Sequence, residues 1–233
     1  METELYNSSL FSDANLVAYY RLENVNDSKS SYTLTNAGTT PFNAALFGNG
    51  ADQGSSNTTK YLYRTDVLGF NTNGNNNITV VWRMKFNSLP ASGTGMSTIF
   101  FALDPSSGSR YFYRPGYGNT AGVYTMSYRG ITYTFSGTPS TTEYYYFAFT
   151  STTGQVNKLY VNGELVGTTT QNDNATATNT PRFAIGASVF NAGSFDHSSC
   201  IYDDVAIFSR VLSQEEIQSL NIDIASGKFF QLL

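Results

Sequence analysis

The chain of 233 residues contains one cysteine, one histidine and one tryptophan, and only 13% of its residues are charged. Each shortage removes a class of protein. Cys200 alone cannot form an internal disulfide. His197 and Cys200 make the only H-x-x-C, and with no other His or Cys a zinc site cannot be completed. Thirteen Lys and Arg stand against 17 Asp and Glu, a net charge of −4. That balance lacks the clustered positive charge that displaces counterions from nucleic acid and offers no polybasic handle for an anionic membrane. The longest apolar run, YYYFAF at 144–149, is far too short to cross a bilayer. The opening METELYNSSLF has neither a basic start nor a long apolar run, so no signal peptide is expected there. The expected location is extracellular, at a cell surface or within a virion.

What the chain has instead is Asn, Ser, Thr, Gly and Tyr, arranged as short strand-like runs between turn-rich stretches. The clearest runs are NLVAYYRL (15–22), TKYLYR (59–64), ITVVWRMKF (78–86), STIFFAL (97–103), YYYFAF (144–149), NKLYV (157–161) and IYDDVAIF (201–208). Trp82, inside the third of these, is expected in the core. NTNGNNN (71–77) and TQNDNATATNTP (170–181) are too polar and turn-prone to continue a sheet. In LYVNGELVG (159–167) the pair Asn162-Gly163 suits a type I′ hairpin, whose two central residues need positive φ. Helical periodicity occurs once. Ser213 reads as an N-cap with Glu216 as its reciprocal partner, and Leu212 and Ile217 are spaced as a hydrophobic staple. The pattern predicts one all-β domain of ten or more strands in two packed sheets, followed by a short amphipathic helix.

Three segments, in order, carry a family likeness. NLVAYYRLENVNDSKSSYTLTN (15–36), LYVNGELVG (159–167) and IYDDVAIFSRVLSQEEI (201–217) resemble the GLVAYYRLD strand and its N-D-x-S-G-N-G turn, the LYVDGVLVG hairpin and the YIDDVRIYNRALSAEEI ending of laminin-G-like, concanavalin A-like jelly-roll domains. The resemblance implies a two-sheet antiparallel jelly roll over 15–221, with an N-terminal extension (1–14) and an apolar tail (222–233). Two departures stand out: KSS replaces the glycines after Asp27, and the tail continues where family members commonly stop.

The resemblance also bears on the acids Asp203 and Asp204, which interrupt a strand. In the family's jelly roll the first and last strands pair, which would bring Asp27 toward Asp203. Family members often hold calcium near this corner, and two or three carboxylates with loop carbonyls suit that cation. Asp27, Asp203 and Asp204, with Asp52 as a weaker addition, are therefore candidate calcium ligands. The alternative is that Asp203 and Asp204 accept backbone N–H groups and pair with Arg21 or Arg210. Glucan-cleaving relatives carry E-x-D-x-E on one strand. This chain has no such array, and adjacent acids on a strand are expected to point to opposite faces. No enzyme is expected.

Aromatic residues give the other candidate site. Within RYFYRPGYGNTAGVYTMSYRGITYTF (110–135), alternation places Tyr111 with Tyr113 and Tyr124 with Tyr128. Arg114, Tyr117 and Arg129 lie at the neighbouring turns. Flat rings beside guanidinium groups suit sugars, which present an apolar face to a ring and hydroxyls to polar groups. Tyr111, Tyr113, Arg114, Tyr117, Tyr128 and Arg129 are thus the expected ligand contacts. Two functions remain open: a non-catalytic module binding carbohydrate or another surface ligand, steadied by calcium, or a structural protein of a virion or surface layer. For the second, the tail NIDIASGKFFQLL (221–233) would dock on its own sandwich or on a neighbouring subunit.

Overall fold

The first and last strands of the domain lie side by side. β1 (Leu16–Tyr20) runs antiparallel to β17 (Cys200–Phe208), with Tyr20 opposite Val205 and Leu16 opposite Phe208. The computed structural model describes residues 9–56, 59–70, 77–89, 96–102, 114–115, 123–128, 131–136, 139–152, 156–169, 182–190 and 193–221. The apolar tail, most of the tyrosine-rich segment 103–122 and the polar stretches 71–76 and 170–181 lie outside these residues.

Around this pair are built β2 (Thr35–Ala37), β3 (Phe42–Ala44), β4 (Asn49–Asp52), β5 (Tyr61–Arg64), β6 (Ile78–Phe86) and β7 (Ile99–Ala102). Then come β8 (Arg114–Pro115), β9 (Val123–Tyr128), β10 (Ile131–Ser136), β11 (Tyr144–Ser151), β12 (Asn157–Val161) and β13 (Glu164–Thr169). The last before β17 are β14 (Arg182–Ile185), β15 (Ser188–Phe190) and β16 (Gly193–Phe195). One sheet has the order β13-β12-β11-β6-β17-β4-β3, with β1 added on β17. The second has the order β2-β5-β14-β7. β8 to β10 form a three-stranded sheet, and β15 and β16 a two-stranded one. All pairings are antiparallel.

Strand β6 explains the layering. Its residues Ile78, Val80, Trp82, Met84 and Phe86 point between the two sheets, into a core shared with Phe147, Phe149, Phe101, Phe183, Tyr202 and Val205. β-branched and aromatic residues suit such a pleated surface. Val81, on the opposite face of β6, joins a second apolar cluster with Tyr19, Tyr146, Tyr160 and Phe208. That outer face is covered by one 3₁₀ turn (Ser9–Ser12), through Leu10 and Phe11, and by α1 (Gln214–Leu220), through Ile217 and Leu220. Residues 9–14, expected as an extension, are thus partly built into the domain.

The local turn chemistry agrees with the sequence. Asn162 and Gly163 both have positive φ, 52° and 83°, in a two-residue turn between Val161 and Glu164. Helix α1 starts at Ser213, whose hydroxyl accepts from the Glu216 amide at 3.2 Å while Glu216 accepts from the Ser213 amide at 2.8 Å. Arg210 holds Glu216 and Asp13 together, at 2.6 Å from each. No helix among the described residues is long and apolar enough to cross a membrane.

Candidate functional site

The two acids of β17 owe their place to a break in strand register. Tyr202 pairs with Met84 and Val205 pairs with Trp82, so Asp203 and Asp204 together oppose Arg83 alone. This two-against-one arrangement is a β-bulge. Tyr202 and Val205 both face the inter-sheet core, and the bulge turns both intervening acids away from it. The expectation that they point to opposite faces is therefore corrected: the extra residue cancels the period-2 alternation. The other flank of β17 changes partner at the same point, from β4 at 201–202 to β1 at 205–208.

Both carboxylates are engaged. Asp204 Oδ2 takes the Arg83 guanidinium at 2.9 Å and Oδ1 takes the Tyr19 hydroxyl at 2.6 Å. Arg83 also donates to the Leu220 carbonyl at the end of α1, at 2.5 Å. Its guanidinium lies 5.1 Å from the Phe47 ring and 5.5 Å from that of Tyr146. Asp203 Oδ2 accepts the Phe47 amide at 2.9 Å. For Asp204 the expected partners, Arg21 and Arg210, are replaced by Arg83, while Asp203 takes a backbone N–H as expected, that of Phe47. Arg210 is held by Asp13 and Glu216, while Arg21 lies 3.8 Å from Glu23 and exerts a longer-range pull on Asp204.

The remaining calcium candidates have hydrogen-bond partners of their own. Asp27 closes its own loop, accepting the Tyr19 amide at 2.8 Å, the Lys29 amide at 2.9 Å and the Ser30 hydroxyl. Asp52 accepts from Asn43 at 2.9 Å, Asn87 at 2.8 Å and the Gly54 amide at 2.9 Å. Among the described residues no group of three or more His, Cys, Asp or Glu side chains could hold a metal ion. Carboxylates already facing N–H, O–H and guanidinium donors are a poor donor set for calcium.

Of the expected ligand contacts, Tyr111, Tyr113, Tyr117 and Arg129 lie outside the described residues. Arg114 and Tyr128 stand in β8 and β9, opposite Ser127 and Ile131 respectively.

An aromatic group on the second sheet went unmarked in the sequence. Leu62 faces the core, which turns Tyr61 and Tyr63 of β5 to the outer face. Their rings lie 5.5 Å apart, and the His197 ring is 5.6 Å from Tyr61. The tyrosines are only partly buried and pack on Ala184, Ala187 and Val189. Their strand partners are small: Thr35 and Ala184 flank Tyr63, and Ala37 flanks Tyr61. Large rings among such short side chains present a ring surface at the sheet face. The alternating K-Y-L-Y-R of 60–64 was the available signal; which of its two faces stays open depends on the other sheet.

Burial pushes the His197 imidazole below its ordinary value, against the opposing pull of the Lys60 and Ser194 backbones. The unfolded chain then takes up a proton first as pH falls. This stabilising contribution is complete above the ordinary value of about 6.5 and is lost as pH falls through it toward the folded value. Asp52 and Asp66, both held below the carboxylate range, act only at about pH 4 and lower. Thermal melts should therefore show a decline between pH 7 and 5 that His197→Phe flattens. An equal decline in both proteins would assign it elsewhere.

Two facing antiparallel sheets, first and last strands paired, and one short helix over the outer face define a concanavalin A-like β-sandwich. The family model described as the concanavalin A-like lectin/glucanases superfamily matches residues 56–218, and the chain belongs to that family. No curated protein sequence matches it. Among solved structures it is similar to domain 4 of AbnA, a GH43 extracellular arabinanase from Geobacillus stearothermophilus, in complex with arabinotriose. Identity there is 18% and the TM-score 0.61, covering 89% of this chain and 98% of that one. It is also similar to the binding domain of botulinum neurotoxin serotype D/C, at 12% identity and a TM-score of 0.63, covering 91% of this chain and 52% of that one. A third, botulinum neurotoxin type C, whose cell entry depends on two ganglioside molecules, has 11% identity and a TM-score of 0.60, covering 88% of this chain and 50% of that one. The chain thus spans about half the length of the two toxin chains. These likenesses concern the fold.

Proposed function

We propose that the protein is a non-catalytic recognition module that binds glycan on the outer face of the β2-β5-β14-β7 sheet. The observation that carries this reading is the partly exposed Tyr61–Tyr63 pair beside His197. A sugar ring stacks its apolar face on such rings, while phenol and imidazole groups meet its hydroxyls. The arabinotriose held by one structural neighbour and the gangliosides used by another support a sugar as the ligand.

The acids support recognition over cleavage. Glycoside hydrolysis needs two carboxyl groups flanking the scissile bond, about 5–9 Å apart. Asp203 and Asp204 are 1% and 7% exposed, and both are bound to protein groups, so neither can reach a substrate.

The test is binding of an oligosaccharide panel, including arabinotriose and a ganglioside headgroup, measured by calorimetry on the wild type and on Tyr61→Ala and Tyr63→Ala. Each substitution is expected to weaken binding about tenfold, the loss of one stacking contact of about 1–1.5 kcal/mol. Equal affinity in all three proteins would move the ligand off this face.

A further inference from the structure

Gln53 follows β4 directly, and its amide donates to the Cys200 carbonyl at 3.0 Å, which seats its backbone on the eight-stranded sheet at the start of β17. The side chain is 2% exposed and crosses toward the second sheet. A buried carboxamide is costly unless both ends are bonded, and here both are. Its Nε2 donates to the Lys60 carbonyl at 3.2 Å, and its Oε1 accepts the Ser198 hydroxyl. Lys60 immediately precedes Tyr61, and Ser198 immediately follows His197. One side chain therefore holds the backbone beside each of the two rings.

Strand pairing does not do this. Among the described residues β5 pairs with β2 and β14, and no strand pairing links it to the loop 196–199. Ser198 is fixed further by its neighbours. Its amide donates to the Gly186 carbonyl at 2.8 Å, and its hydroxyl oxygen accepts the Tyr202 hydroxyl at 2.8 Å. Gly186 completes the seat: its φ is 88°, and a Cβ there would lie 1.6 Å from Gln53 Nε2, so a larger residue would displace the carboxamide. The Lys60 backbone also hydrogen-bonds the His197 imidazole. In front of this cluster the Tyr61 and His197 rings stand 5.6 Å apart with their planes at 58°.

We propose that Gln53 is a positioning residue for this face: it sets the spacing and tilt of Tyr61 and His197 from behind, without touching a ligand. The role rests on the reading of the face as a sugar site. Contact between flat surfaces is steep in distance, since a gap of about 0.5–1 Å already forfeits a quarter to a half of the attraction. Two rings carried on separate parts of the chain share one ligand only if a rigid brace fixes them. Gln53 is such a brace, because hydrogen bonds closed off from water are strong and specify one arrangement.

The experiment is NMR on the whole chain, free and with the oligosaccharide panel, for the wild type, Gln53→Met, Gln53→Glu and Ser198→Ala. In the free protein, through-space transfer between the Tyr61 and His197 ring protons reports the pair. Gln53→Met keeps the length and loses both hydrogen bonds. It is expected to weaken that transfer and to lower sugar affinity about three- to tenfold, bounded by the loss of a whole ring contact. Ser198→Ala, which frees the His197 side alone, should also weaken the transfer. The neutral acid of Gln53→Glu has the same donor and acceptor, and burial raises its pKa. At about pH 5 it should match the wild type, and at about pH 9, ionised, it should match Gln53→Met. Comparison with the wild type at each pH cancels the titration of His197. Should Gln53→Met not fold, the other two variants carry the same comparison. A lower melting temperature with ring transfer and affinity unchanged would make Gln53 purely structural and overturn the proposal. So would a Gln53→Glu variant that ignores pH. If no sugar binds even the wild type, the reading of the face fails, and ring transfer in the free variants alone decides the role of Gln53.

Discussion

Arg83→Met is expected to lower the unfolding free energy by about 3–5 kcal/mol, the cost of breaking a buried ion pair by removing one partner. The guanidinium joins three parts of the fold: Asp204 on the bulge of β17, the Leu220 carbonyl at the end of α1, and the Phe47 and Tyr146 rings. Its loss leaves the Asp204 carboxylate buried against only the Tyr19 hydroxyl. The double variant Arg83→Met with Asp204→Leu should recover most of the loss, because an apolar pair of similar volume carries no desolvation cost. Denaturant titrations of the wild type, both single variants and the double variant give the coupling directly. Additive losses would mean that the pair does not act as a unit.

Trp82→Ala is expected to cost about 3–5 kcal/mol, as large core truncations do. The indole is 1% exposed and stacks on Phe147 at 5.3 Å with the planes 16° apart. It stands mid-strand in β6, between β11 and β17 and facing the second sheet, so its removal opens a cavity where both sheets meet. Trp82→Phe should cost less than half as much, since a ring remains against Phe147. The check is the denaturation midpoint at an unchanged slope, which separates lost stability from a changed unfolded state. A small loss for Trp82→Ala would mean that the core collapses around the gap.

How far the sequence foretold this depended on how local each feature is. The pattern of ITVVWRMKF, the Asn162-Gly163 turn and the Ser213–Glu216 cap are decided by neighbouring residues, and all three stand as expected. The pairing of first and last strands came from the family likeness, since no local signal links Tyr20 to Val205. Strands β2, β3 and β4 carry Asn, Gly and Thr and have three or four residues each. Propensity disfavours them, and pairing with neighbouring strands forms them nonetheless. The bulge at Asp203 and Asp204 was illegible for the same reason. It shows only in the pairing of β17 with β6, which sets both acids opposite Arg83, 121 residues before Asp204, and alternation alone predicts the opposite. The candidate site was the least legible part. Tyr61 and Tyr63 alternate as core residues do, and only the position of Leu62 against the other sheet leaves their rings on the outside.

One NMR time course tests the proposed recognition without turnover on the Tyr61–Tyr63 face. Ring signals of Tyr61, Tyr63 and His197 are followed while the tightest-binding oligosaccharide of the panel is added, and the sugar's own signals are then monitored over days. Those rings are expected to shift on binding while the sugar stays intact. Rings that do not move, or new reducing-end signals from the sugar that a protein-free control lacks, would contradict it.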